Sequence, residues 1–283
     1  MGNPSDEVLQ WSLEELANAI RERRISPVEV TRALFRSIKE KDGRINAYVT
    51  LMEEEAMTAA KRAEEEIAQG IYKGPLHGVP IALKDMINTQ GTRTTMGSPI
   101  YKDFIPAEDA DLVHRLKQAG AVIVGKLNMH QFAFGATGDR SYFGPVRNPH
   151  RLTHVTGGSS SGSGAALAAY MAYGTIGTDT GGSVRIPSSC CGVVGMKPTF
   201  GSVSKHGVYP LSWTLDHIGP MTRTVRDNAL FLNEMVGYDP KDPYSIQRKE
   251  EDFARQIGQS VKGMTLGIPD NFYFDLMHPE VLQ

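Results

Sequence analysis

The chain has 283 residues, 40% of them hydrophobic, enough to bury a substantial core as one large domain or two small ones. Its 30 Lys and Arg against 32 Asp and Glu leave a net charge of -2, which excludes a global basic field for nucleic acid and an acidic solvated arm, and favours a small neutral substrate or partner. The only cysteines are the adjacent Cys190 and Cys191, which neither staple distant segments nor complete a four-ligand metal site, so a reducing compartment is the simpler inference.

Met1 to Leu9 include Asp6 and Glu7 and lack the charged-then-apolar pattern of a secretion signal. No run of about 18 apolar residues follows, so a cytoplasmic protein with no membrane partner is expected. Ser12 precedes Glu15, and Ser26 precedes Pro27 and Glu29, so two helices start at these serines. A third, charged and alanine-rich, is predicted over 53–68 and closes at Gly70. Residues 1–70 therefore read as a helical lead-in, and 71–283 as the body of one domain.

Short apolar runs then alternate with helical patterns: a strand over 79–84, a helix over 109–118, a strand over 121–125. A helix over 164–172, strands over 174–178 and 193–196, a helix over 225–236 and a strand over 264–268 continue the pattern. Strands alternating with helices imply an α/β fold with a mostly parallel, buried sheet and functional loops at strand ends. Phe272, Tyr273 and Phe274 look like the start of a further unit, as if the chain were incomplete at its C-terminus.

Two glycine-serine islands interrupt this pattern, 157–164 and Asp179-Thr180-Gly181-Gly182-Ser183. The first would be a flexible linker if Ala165 to Ala169 did not follow without a break, which places its serines at a helix N-terminus. Phosphate binding fits poorly, since no lysine follows the last glycine and the dinucleotide spacing is not completed. Gly158-Ser159-Ser160-Ser161-Gly162 satisfies G-x-S-x-G, but a nucleophile elbow needs a buried strand before it, and Asn148-Pro149-His150-Arg151 is polar. Asp216 and His217 would supply the acid and base of that elbow only if sequence neighbours faced one site. In the second island, glycines free backbone N–H groups to point at an oxyanion beside Ser183; a plain strand-to-loop turn would use the same residues.

A serine nucleophile needs a base. None of the eight histidines has a context that singles it out. Lys84 ends an apolar run, where burial would lower its pKa, although the residues alone favour a lysine that snorkels from a strand end or pairs with Asp85.

Four separated blocks decide between these readings: Gly78 to Asp85, Gly157 to Ser160, Gly177 to Arg185 and Gly192 to Thr199. Together with Gly219 to Val225 they resemble the amidase signature family over about residues 10 to 270. The resemblance implies a mixed, mostly parallel sheet covered by helices on both faces, and no metal or cofactor. It implies Lys84 as base, Ser159 as relay after a cis peptide bond, and Ser183 as nucleophile. Backbone N–H groups of Thr180, Gly181, Gly182 and Ser183 would hold the oxyanion, with Ser160 and an Asp179–Arg185 ion pair in support.

The implied activity is hydrolysis of a small carboxamide to an acid and ammonia through a Ser183 acyl-enzyme. Members of the family are generally longer, so an inactive fragment is an alternative, as is the glutaminase subunit of a tRNA-dependent amidotransferase. Those subunits commonly carry acidic residues after Asn-Met where this chain has His130-Gln131, so a stand-alone amidase is favoured. The partners implied are a small amide substrate, with a homodimer or an amidotransferase partner subunit open.

Overall fold

The computed structural model describes residues 7–249, 251–271, 274–275 and 277–282. Helix α1 (Leu13–Arg21) starts on a reciprocal capping box: Ser12 Oγ accepts the Glu15 N–H at 3.1 Å, and Glu15 accepts the Ser12 N–H at 2.7 Å. Helix α2 (Pro27–Ile45) starts on Ser26, whose hydroxyl accepts the N–H groups of Val28 and Glu29, and stops at Asn46 in left-handed backbone. Helix α3 (Glu53–Ala68) has three glutamates in its first turn, where they complement the helix dipole.

The lead-in is not purely helical, because β1 (Tyr48–Leu51) lies between α2 and α3 and joins the main sheet. Tyr-Val-Thr-Leu is a strand-forming run, but four residues between two strong helix patterns carry little periodicity. Nor is the lead-in a separate body. Its Leu16, Ile20, Val30 and Leu34 share one apolar core with Ile81, Val122, Ile176 and Phe231.

The sheet continues with β2 (Pro80–Lys84), β3 (Val122–Leu127), β6 (Gly174–Asp179), β7 (Val194–Gly195) and β8 (His217–Thr222), in the order β1-β3-β2-β6-β8-β7. Strand β2 runs parallel to β3 and β6, whereas β1, β8 and β7 pair antiparallel to their neighbours. Four of the six strands thus point the same way, the mixed and mostly parallel sheet expected. Strand β8 escaped the sequence reading because Pro220, which has no N–H for a ladder, sits inside it opposite Ile176.

Helices cover both faces, as strand alternation makes visible. On β6, a Cβ at Gly174 would strike Phe231 of helix α7 (Val225–Met235), whereas the Thr175 hydroxyl turns the other way and donates to Ser163 O of helix α5 (Ser161–Ala168). Helix α4 (Asp111–Gln118) connects β2 to β3. A hairpin of β4 (Arg147–Asn148) and β5 (Arg151–Val155) leads into the first glycine-serine island. Helix α6 (Arg185–Cys191) follows the second, and a short α8 (Pro279–Leu282) ends the described chain.

The strand expected over 264–268 does not form; Leu266 and Ile268 are exposed, 86% and 82%, with no neighbouring strand to pair with among the described residues. Phe272 and Tyr273 lie outside the described residues. No helix among the described residues is long and apolar enough to cross a membrane. Because β2 and β6 are parallel neighbours, Lys84 and Asp179 come out at the same end of the sheet, and both islands meet there.

Candidate active site

Lys84 is the last residue of β2 and is fully buried. Its Nζ lies 2.7 Å from Ser159 Oγ and 2.8 Å from Thr178 Oγ1, the latter near the end of β6. Burial pulls its pKa down from 10.5 to about 7, against the opposing pull of the Asp179 and Asp216 charges. A buried amine with two hydroxyls and no carboxylate in contact is poised to be neutral near neutrality, which a snorkelling lysine is not.

Ser159 follows a cis peptide bond to Gly158 and is buried. The next residue, Ser160, clamps the two islands together: its N–H donates to Ser183 O at 3.2 Å, and its hydroxyl donates to Thr178 O and accepts the Thr178 N–H, both at 3.2 Å. Ser183, half-buried, lies just before α6. Lys84, Ser159 and Ser183 are thus drawn to one place, the first two by side chains and the third through the Ser160 backbone.

Ser160 is not the exposed nucleophile of an elbow, since its hydroxyl is buried and committed to Thr178. His217 is no base for it either. Its Nδ1 faces Leu215 O at 2.7 Å and Asp179 O at 3.2 Å, and Asp216 instead accepts from Thr180 Oγ1 at 2.5 Å and from the N–H groups of Leu211 and Ser212.

The second island is shaped by Asp179, whose fully buried carboxylate accepts the N–H groups of Gly182 at 2.8 Å and Val184 at 3.1 Å and a bidentate pair from Arg185 at 2.9 and 3.0 Å. Burial alone would raise the Asp179 pKa, but Arg185 and these N–H groups outweigh it and hold the group ionised. The expected oxyanion set needs one correction, because the Gly182 N–H is already spent on Asp179. The N–H groups of Thr180, Gly181 and Ser183 have no acceptor among the described residues. Gly182 is a glycine for a different reason: at φ 130° a side chain is strained, and its Cβ would lie 2.8 Å from Ile186 Cδ1.

Beside these donors lies a cavity of about 190 Å³, walled by Met86, Thr178, Thr180, Tyr209, Leu211 and Trp213 among others. It is large enough for a small acyl group, and its surface is mostly apolar although Lys205, His206, Asp216, His217, Lys241 and Asp242 also line it; Thr178, hydrogen-bonded to Ser160 and Lys84, links it to the serines. Thr178 and Met86 were missed from sequence. The signal available for Thr178 was its place on β6, one residue before Asp179, where a strand parallel to β2 ends beside Lys84.

The family model for amidases matches residues 29–283. One subunit of the glutamyl-tRNA(Gln) amidotransferase of Geobacter sulfurreducens is 48% identical over 275 residues, 97% of this chain and 56% of the relative. The solved native peptide amidase of Stenotrophomonas maltophilia superposes with a TM-score of 0.83 at 37% identity, covering 87% of this chain and 53% of that one. A solved vestigial protein complex, tied to the evolutionary origins of an s-triazine catabolic enzyme, gives 0.87 at 39%, covering 89% and 56%. The chain spans about half the length of the curated relatives it matches.

Proposed function

The chain belongs to the amidase family, and on that premise we propose that it hydrolyses a small carboxamide through a Ser183 acyl-enzyme. The observation that carries the reading is the 2.7 Å contact between Ser159 and a fully buried Lys84 whose pKa is near 7. Neutral Lys84 takes the Ser159 proton as Ser159 takes that of Ser183, and Ser183 Oγ bonds to the amide carbon. The carbonyl oxygen, now an anion, is held by the N–H groups of Thr180, Gly181 and Ser183, each worth on the order of 3 kcal/mol in such a site. The proton returns from Lys84 through Ser159 to the leaving nitrogen, the C–N bond breaks, and ammonia departs. Water then attacks the ester along the same relay and releases the acid.

Residues 1–283 belong in this reading to a single amidase domain, with the described part of the segment up to residue 70 packed on the catalytic body. The free thiols of Cys190 and Cys191 suit a cytoplasmic site of action. Labelling with a serine-directed fluorophosphonate, followed by peptide mapping, tests the reading without knowledge of the substrate. Label on Ser183 that vanishes in Lys84→Ala supports it; label on another serine, or label indifferent to Lys84, removes it.

A second reading is favoured by the 48% identity to an amidotransferase subunit: the same serine chemistry releases ammonia from glutamine for a partner protein. It predicts preference for glutamine over simple amides and a partner that co-purifies. Activity of the isolated chain on simple amides, with no such preference, argues for the stand-alone enzyme.

A further inference from the structure

The loop after β3 touches both flanks of the relay serine. The His130 N–H donates to Ser159 O at 3.0 Å, and the Gly158 N–H donates to Ala136 O at 2.7 Å. The approach is close: a Cβ at Gly158 would lie 2.8 Å from Gly138 N and 2.9 Å from Gly135 O. What shapes this loop is the imidazole of His130. Its Nδ1 accepts the Gly138 N–H at 3.3 Å, and its ring occupies the space beside Gly135, where a Cβ would collide with Nε2.

Within the same loop, Phe132 and Ala133 both hold left-handed backbone, at φ 52° and 58°, a conformation that costs non-glycine residues energy and persists only when its surroundings enforce it. Gly138 supplies an N–H, so Nδ1 must keep its lone pair and the proton must sit on Nε2. Burial pushes the His130 pKa down, opposed by Asp139 and aided by Arg140 and Lys84, which favours that neutral form.

We propose that His130 is a positioning residue for the relay serine: its ring templates the 130–138 loop, and the loop in turn fixes the backbone of Gly158 and Ser159 against Lys84. The inference rests on the Ser183 acyl-enzyme reading. Among the described residues the imidazole makes no hydrogen bond to Lys84 or to a serine hydroxyl, so its effect passes through the Ser159 main chain. Asn at this position keeps an acceptor near the place of Nδ1; Ala keeps neither the acceptor nor the ring.

The test measures fluorophosphonate labelling of Ser183 in the whole chain, resolved into kinact and KI, with the melting midpoint of each variant. His130→Ala is expected to lower kinact by about tenfold or more with KI within about twofold, since the relay is misplaced while the pocket is untouched. His130→Asn restores kinact to within about threefold of the starting protein. If His130→Ala does not fold, Gly135→Ala, which pushes the ring aside and leaves its acceptor in the chain, is expected to reproduce the kinact loss. A kinact unchanged in His130→Ala, or in Gly135→Ala where that variant must stand in, overturns the proposal. So does equal impairment of His130→Asn and His130→Ala, or a loss that only tracks the melting midpoint. Absence of Ser183 labelling in the unmodified chain instead overturns the acyl-enzyme reading on which this rests.

Discussion

Lys84 on β2 and Lys126 on β3 sit on adjacent parallel strands, and neither has any solvent exposure. Leu83 pairs with Lys126 and Lys84 with Leu127, so the two ammonium-bearing chains leave opposite faces of the sheet. Burial lowers both pKa values, Lys84 to about 7 and Lys126 to about 8, the latter against the pull of Asp85 and Asp109. Desolvation is therefore common to the pair and does not by itself make a base.

The difference lies in where the neighbouring hydroxyl protons go. Lys126 Nζ donates to Ile87 O, Thr89 Oγ1 and Thr94 Oγ1, three acceptors for its three hydrogens. Both threonines have already given their protons away, Thr89 to Ile87 O and Thr94 to Thr92 O. Such a shell can only accept, and it holds the ammonium. Around Lys84, Thr178 donates its proton to Met86 Sδ, but Ser159 Oγ has no partner among the described residues except Lys84 itself. That proton is uncommitted, as the proposed relay from Ser183 to Lys84 requires.

The largest expected effect separates the two lysines outright. Ser183→Ala and Lys84→Met should each reduce labelling and ammonia release by at least about 10⁴-fold, and the double variant little further, because such groups act as a unit. Lys126→Met should do the reverse. It strands three acceptors and takes away one of the two nearby cations, Lys126 and Arg93, that offset the burial of the Asp85 carboxyl, costing about 3 kcal/mol of stability while the folded fraction still labels within about tenfold. Denaturant melts and labelling on the same samples decide it; a Lys126→Met protein that is stable but unlabelled would erase the distinction.

The next effect is on pH. Lys84 must be neutral to act, so labelling should rise about tenfold per unit up to about pH 7 and then level. Stability moves the same way for a separate reason. Both lysines have folded-state pKa values below 10.5, so the unfolded chain binds more protons above pH 7 and folding gains as pH rises. From pH 7 to 8 the gain is about 1 kcal/mol, most of it from Lys84, so Lys84→Met should flatten the melting-midpoint profile more than Lys126→Met. Above about pH 10 the buried Cys191 thiol and Tyr173 phenol, both pushed up by burial, reverse the slope, because the unfolded chain loses those two protons first while its lysines also begin to deprotonate.

This contrast also marks what was legible in the sequence. Lys84, Ser159 and Ser183 lie in the blocks that resemble the amidase signature family, which is what singled them out, and the helix starts at Ser12 and Ser26 are local chemistry that could be read along the chain. Lys126 could not, because its shell is assembled from the 87–94 turn across a strand register that no spacing encodes. The helix α5 begins at Ser161, three residues earlier than alanine content suggested. Propensity disfavours serine and glycine there, but Gly162 packs so close to Ala47 O and Asn128 that tertiary contact overrides it. The run 264–268 erred the other way: apolar composition suggested a strand where no neighbour among the described residues completes a ladder.

The smallest effect tests how far the charge around Lys84 is tuned from outside. Arg185 is half-exposed while its partner Asp179 is fully buried, and three backbone N–H groups remain on the carboxylate when the guanidinium is removed. Arg185→Gln should therefore leave Asp179 ionised on its three N–H groups and the island folded, with labelling above pH 8 reduced only about threefold to fivefold, the half-exposed guanidinium being partly screened by solvent. The Asp179 charge, however, raises the Lys84 pKa, and without Arg185 it is less neutralised. The labelling limb of Arg185→Gln should move a few tenths of a unit to higher pH, and the shift should shrink in high salt as the charge is screened. A limb that stays in place, or moves down, would mean that Lys84 is set by desolvation alone, as the depression common to Lys126 would then suggest.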